Sequence, residues 1–199
     1  GLPIVCSIKE NGNCGFIGSR SALIDYVFSA IIQIAALHSY DEVKIVALFP
    51  EQERTRWQWL RWLPHCMTDD HEMRFLAANF SEARPVMDYF KAVCESRRKD
   101  DDKWSFGRRI ALPYYIVIVG DPDLLYNSAL GEALVDNDLK LGICGLFLGE
   151  ALSEFPHSVK SIVRLSSNGG IYILNGNNTP FSEDKRKIAP NESEFLDRK

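Results

Sequence analysis

Short apolar runs, separated by stretches of helical spacing, constrain this chain more than any other feature. Tyr114–Val119 carries no charged residue, and Val43–Phe49 and Gly142–Leu148 are nearly as apolar. Strands that alternate have one wet face, whereas strands apolar along their whole length have none. Ahead of Val43, Ala22, Leu23, Tyr26, Val27, Ala30, Ile31, Ile34 and Leu37 recur at helical spacing. The pattern predicts an α/β fold, with a mostly parallel sheet and helices on both faces.

Punctuation places the elements. Cys14–Ile17 is a buried strand closed by Gly18, and Ser21 is the expected cap of the next helix, with Asp25 in its first turns. Pro50 ends the second strand, and Pro64 ends a helical stretch from Glu51 to Leu63. Met73–Ala77 reads as a third strand. Ser81 is the expected cap of a helix with Pro85 in its first turn, and Arg97–Arg109 reads as a charged loop. Leu124–Val135 reads as a helix. Ser161–Leu165 and Gly170–Leu174 flank Ser167-Asn168-Gly169 as a hairpin. Residues 1–175 make one domain, and the polar tail 176–199 reads as a linker towards the next one.

The composition is that of a globular domain, with 46% hydrophobic and 25% charged residues. A net charge of −4 offers nucleic acid no general attraction, so none is expected as a partner. The five cysteines, Cys6, Cys14, Cys66, Cys94 and Cys144, form no CxxC pair and suit a reducing compartment. The longest apolar run, Val27–Leu37, is interrupted by Ser29 and Gln33 and falls short of a span of roughly 20 residues. A start at Gly1-Leu2-Pro3, without an initiator methionine, suits an excised domain.

Ligands of α/β sheets bind at the carboxyl ends of strands, so the first strand–turn–helix is where a phosphate loop would sit. Such a loop wraps phosphates in backbone N–H groups, with lysine and a magnesium-holding hydroxyl spaced as GxxxxGK[ST]. Counted from Gly18, these positions fall on Leu23, Ile24 and Asp25; counted from Gly15, on Arg20, Ser21 and Ala22. Neither register fits, so Gly18-Ser19-Arg20-Ser21 reads as a degenerate phosphate loop. Arg20 is either a substitute phosphate clamp or, the favoured alternative, a solvated turn arginine. The apolar run ending at Asp121 has one acidic residue followed by Pro122, a degenerate form of the strand that carries magnesium and water ligands elsewhere. Asp123 reads as a cap or first-turn acid.

At these residues the chain resembles the FtsK/SpoIIIE-type ATPases. Gly15-Phe16-Ile17-Gly18, the helix ending Ile34–Ser39 and Asp41–Val46 look like that family's P-loop strand, helix and second strand. Trp62-Leu63-Pro64-His65 resembles its Leu-Pro-His element. The helix reaching Glu95-Ser96-Arg97-Arg98 is similar to its long helix, and Leu112-Pro113-Tyr114 leads into its Walker B position at Asp121. Phe49-Pro50-Glu51, Trp57–His65 and Met73-Arg74-Phe75 look like the membrane-proximal ATPase-like domain of the EssC/YukBA type of type VII secretion. The resemblance implies a RecA-like P-loop NTPase fold in the cytoplasmic part of a membrane-anchored, hexameric motor. Its partners would be other domains of that motor and type VII secretion components. ATP and magnesium would be used by those other domains, and no cofactor is expected in this one. It implies a non-catalytic domain for assembly, coupling or regulation; the alternative is a weak, unconventional nucleotide-binding or hydrolysing domain using Arg20 and Asp121.

Three further groups combine side chains able to bind or react. Trp57, Trp59 and Trp62 cannot share one helical face, so an aromatic beside Arg54, Arg56 and Arg61 is left for an interface, or the helix simply packs across the sheet edge. His65, Cys66, His71 and Glu72 lack the spacing of a zinc site, so no metal is expected. Cys14 and Cys144 lie in apolar strands, where a thiolate is disfavoured.

Overall fold

The computed structural model describes residues 12–101, 111–159, 161–165 and 171–175. Seven strands form one sheet in the order β3-β2-β4-β5-β1-β6-β7: β1 Cys14–Ile17, β2 Val43–Leu48, β3 Leu76–Ala77, β4 Tyr114–Val119, β5 Ile143–Gly149, β6 Ser161–Leu165 and β7 Ile171–Asn175. The first six are parallel, and β7 runs antiparallel to β6. The α-helices among the described residues are α1 Arg20–Leu37, α2 Arg54–Trp57, α3 Phe80–Asp101 and α4 Ala129–Asp136.

Every residue of β1, β2, β4 and β5 is buried, and side chains divide between two faces at the strand period of two. Tyr114, Ile116 and Ile118 join Cys14, Phe16, α1 and Trp57 in one core. Tyr115, Val117 and Val119 join Phe75, α3 and α4 in the other. Continuous apolar strands therefore mean what their pattern predicts, a sheet covered on both sides.

Several boundaries differ from the expected ones. Helix α1 begins at Arg20 with Ser19 as its N-cap, not at Ser21, and Ser19 makes no side-chain cap bond. Asn79, not Ser81, caps α3: its Oδ1 accepts the Glu82 N–H at 3.1 Å. Pro85 therefore lies inside that helix rather than in its first turn. The helix also runs on through Arg97 to Asp101, because the Arg97 guanidinium has work to do. It donates to the carbonyls of Leu141 and of Pro113 and lies 4.8 Å from the Tyr115 ring. Residues 102–110 of the expected loop, the 166–170 turn and the 176–199 tail lie outside the described residues. Leu124–Val135 is two pieces, a 3-10 turn Pro122–Leu125 and α4, which Ser128 caps through its hydroxyl. Glu51–Leu63 is a chain of short 3-10 and α turns.

Helix α1 is long and apolar enough to cross a membrane by length and composition, although the sequence pattern breaks it at Ser29 and Gln33. Leu23, Ile24, Val27 and Ile31 of its inner face are buried in the first core, whereas Ile32 and Leu37 are exposed. Lys44 is the other exception to pattern. It is a fully buried lysine in β2, held by Asp69 at 2.8 Å.

Candidate functional site

The carboxyl ends of β1, β5 and β4 meet where a phosphate loop would act. Only Gly18 and Ser19 separate β1 from α1. A connection of two residues cannot curl its backbone N–H groups around a phosphate chain. Gly18 is also glycine for another reason. A Cβ there would come within 3.1 Å of both the backbone oxygen and Cβ of Leu165, so the turn is pressed against β6. The Gly18 N–H is turned to the Gly149 carbonyl at 3.4 Å.

Arg20, at the first position of α1, reaches sideways over the sheet. Strand β5 lies between β1 and β4. The guanidinium nevertheless donates to the Gly120 carbonyl, just beyond β4, at 2.9 Å. The side chain thus crosses the end of β5, ground that a triphosphate and its metal would need. The same Nη2, together with Nε, makes a fork onto Glu53, Nε to Oε1 at 2.6 Å and Nη2 to Oε2 at 2.9 Å. Trp57 donates its indole N–H to the same carboxylate at 2.9 Å. Burial raises the Glu53 carboxyl, and the hydrogen bonds from Arg20 and Trp57 outweigh it, leaving Glu53 below the ordinary glutamate value. Arg20 is therefore paired within the fold and is not a solvated turn residue. It is an internally neutralised tie between α1, β4 and the segment after β2. Gly120 makes room for it, since a Cβ there would lie 2.9 Å from the guanidinium.

The other expected positions are placed as follows. Asp121 caps the turn that follows β4, accepting the Asp123 N–H at 3.2 Å, and its own N–H donates to Leu48. Asp123 lies in the first turn of that 3-10 helix. Ser21 is exposed on α1. The three tryptophans separate by burial. Trp57 is in the first core, stacked on Phe49 at 5.2 Å, and Trp59 is partly buried against Phe28. Trp62 is 73% exposed, with the Arg61 guanidinium 4.7 Å above its ring.

Neighbouring cations are paired too. Arg54 bonds Glu51 and Glu82, and Arg56 bonds Asp25. His65 is buried with Nε2 2.9 Å from the His38 carbonyl, and burial pushes the Cys66 thiol up to about 12. His71 sits in a turn with φ 62°. Among the described residues, no three His, Cys, Asp or Glu side chains gather as a metal-holding group. Cys14 and Cys144 are fully buried in the first core.

Over the ends of β4 and β5 lies a cleft of about 360 Å³, lined by Arg20, Pro122, Phe147, Glu150, Glu154 and Phe155 among others. Sequence reasoning missed Glu53 and this cleft. The spacing of Glu53 and Trp57, one helical turn apart, is the available signal for the first. For the second there is none, because the cleft is made by segments far apart in sequence.

A six-stranded parallel sheet wound in this order, with its strand–turn–helix at the start, defines a RecA-like P-loop NTPase fold. No family model matches the chain. In sequence the chain is similar to proteins of type VII and ESX secretion systems. It is 26% identical over 196 residues to the ESX secretion system protein EccC of Geobacillus thermodenitrificans, covering 96% of this chain and 13% of that protein. It is 25% identical over 178 residues to EccC of Thermomonospora curvata, covering 87% and 12%. The type VII secretion system protein EssC of Staphylococcus aureus is 21% identical over 167 residues, covering 83% and 11%. The chain thus spans only about an eighth of these relatives. Among solved structures, EssC (ATPases 2 and 3) from Geobacillus thermodenitrificans superposes with a TM-score of 0.59 at 17% identity, covering 78% of this chain and 32% of that one. The cytoplasmic domain of EssC does so with 0.54 at 14% identity, covering 81% and 34%.

Proposed function

We propose that this is a non-catalytic ATPase-like domain of a type VII secretion motor, which assembles, couples or regulates neighbouring ATPase domains without turning over nucleotide. One observation carries this: the lone cation at the phosphate-loop position is bound to Glu53 and the Gly120 carbonyl behind a two-residue turn. Hydrolysis at useful rates needs a backbone cradle, a lysine, a magnesium-holding hydroxyl and a water-orienting group acting together. Here the cradle is too short, no lysine stands in the turn, the [ST] position of either glycine register falls on Asp25 or Ala22, and Asp121 is engaged as a cap. ATP and magnesium belong, on this proposal, to other domains of the parent protein, which is a membrane-anchored hexamer with this domain on its cytoplasmic side. The exposed Trp62 with Arg61 suits contact with those domains, since exposed aromatic–arginine pairs are favoured at interfaces.

Phosphate release from Mg·ATP tests the proposal. The 199-residue chain, Arg20→Ala and Asp121→Ala should give the same background rate. Turnover by the wild-type chain that both substitutions abolish would establish the alternative, an unconventional nucleotide enzyme.

A further inference from the structure

The cleft over β4 and β5 has a chemistry of its own. Its walls are mostly apolar, with Val119, Pro122, Phe147, Leu148 and Phe155 among the lining residues. Three charged side chains reach it: Arg20, Glu150 and Glu154. The positive one is already cancelled, because Glu53 holds the Arg20 guanidinium by two hydrogen bonds. The two negative ones are not cancelled. Glu154 accepts the backbone N–H groups of Glu150 and Ala151, both at 3.1 Å, which fixes its carboxylate without neutralising it. Glu150 makes no side-chain hydrogen bond or ion pair among the described residues, and it is exposed. The space therefore repels phosphates and suits one positive charge on an apolar stem. No group of three metal-ligating side chains is present among the described residues. A volume of about 360 Å³ suits one or two side chains.

We infer that this cleft receives a basic side chain, arginine in preference to lysine, from a segment of a partner polypeptide. The stem lies against the apolar lining, and the guanidinium meets the Glu150 and Glu154 carboxylates. A planar, weakly hydrated cation with aromatic walls is the combination that such contacts favour. Charge complementarity chooses the occupant: an acidic partner or a nucleotide would bring like charge to a rim already carrying two carboxylates. The inference rests on the non-catalytic proposal, because it assigns a protein contact to ground that an active relative would need for nucleotide.

The test uses the 199-residue chain, two short capped peptides, Ala-Arg-Ala and Ala-citrulline-Ala, and Mg·ATP, followed by backbone amide shifts in two-dimensional NMR. Citrulline keeps the shape of arginine and removes its charge. The arginine peptide should shift amides of residues 119–123 and 147–155 saturably. The citrulline peptide should bind about tenfold more weakly, the usual worth of a charge-assisted contact. Glu150→Gln should weaken the arginine peptide, and Glu150→Lys should abolish its binding; Glu150 is exposed, so both variants should fold. Equal binding of the two peptides, shifts that miss the cleft, or indifference to Glu150→Lys would overturn the inference while leaving the non-catalytic proposal intact, provided Mg·ATP moves nothing. Saturable Mg·ATP shifts at residues 18–21 would instead overturn the closed-site reading on which the non-catalytic proposal rests.

Discussion

At the residue scale, the tie formed by Arg20, Glu53 and Trp57 decides what the strand ends can do. The Glu53 carboxylate is mostly buried, so removing Arg20 leaves an underpaired charge. In urea unfolding, Arg20→Ala and Glu53→Ala should each cost about 1–3 kcal/mol. A double-mutant cycle should return a coupling of about 1 kcal/mol or more, and strictly additive losses would disprove the tie. The pH dependence follows with its sign. The folded-state carboxyl of Glu53 lies below its ordinary value of 4.5. Its stabilisation is therefore present above the unfolded value and lost as pH falls through the folded one. Between about pH 5 and 3 the wild type should lose more stability than Glu53→Gln, and equal slopes would contradict the assignment. Lys44 makes a second residue-scale claim. Its ammonium is buried and meets an exposed carboxylate on Asp69. Asp69→Asn should destabilise the fold by roughly 2 kcal/mol, unusual for a surface substitution, because it strands the lysine.

At the element scale, the tryptophan-rich segment after β2 performs two tasks with one short stretch. Trp57→Ala removes a fully buried ring stacked on Phe49 and a donor to Glu53, and should cost about 3–5 kcal/mol. Trp62→Ala should change stability by no more than about 0.5 kcal/mol, since that ring is exposed. Comparable losses at both sites would contradict the division between core and surface. The elements also mark where sequence is a good guide. Strand β4 is bounded as its apolar run suggests, because no competing pattern exists for Tyr114–Val119. The end of α3 was hidden because Arg97 looks like loop solvent-facing charge, whereas its partners are carbonyls supplied by distant turns. The start of α1 was displaced to Ser21 because hydroxyls usually cap, and here Ser19 takes the position without using its side chain.

At the scale of the whole molecule, the mostly parallel sheet and the two-faced core were legible from strand composition and the resemblance to FtsK/SpoIIIE-type ATPases. The absence of a phosphate-loop spacing was also legible at Gly18, Ser19, Arg20 and Ser21. What replaces the loop was not, because Gly120 and Glu53 meet Arg20 only through the crossover that sets β4 and β5 between β2 and β1. On the non-catalytic proposal, the same folding that builds an NTPase-like frame closes it with an ion pair across the end of β5. Thermal unfolding of the 199-residue chain in rising Mg·ATP examines that closure most directly. A ligand that binds only the folded state raises the melting temperature with concentration. The expected result is a melting temperature that stays flat into the millimolar range; a saturable rise of several degrees, kept in Trp62→Ala and lost in Asp121→Ala, would contradict the closed site.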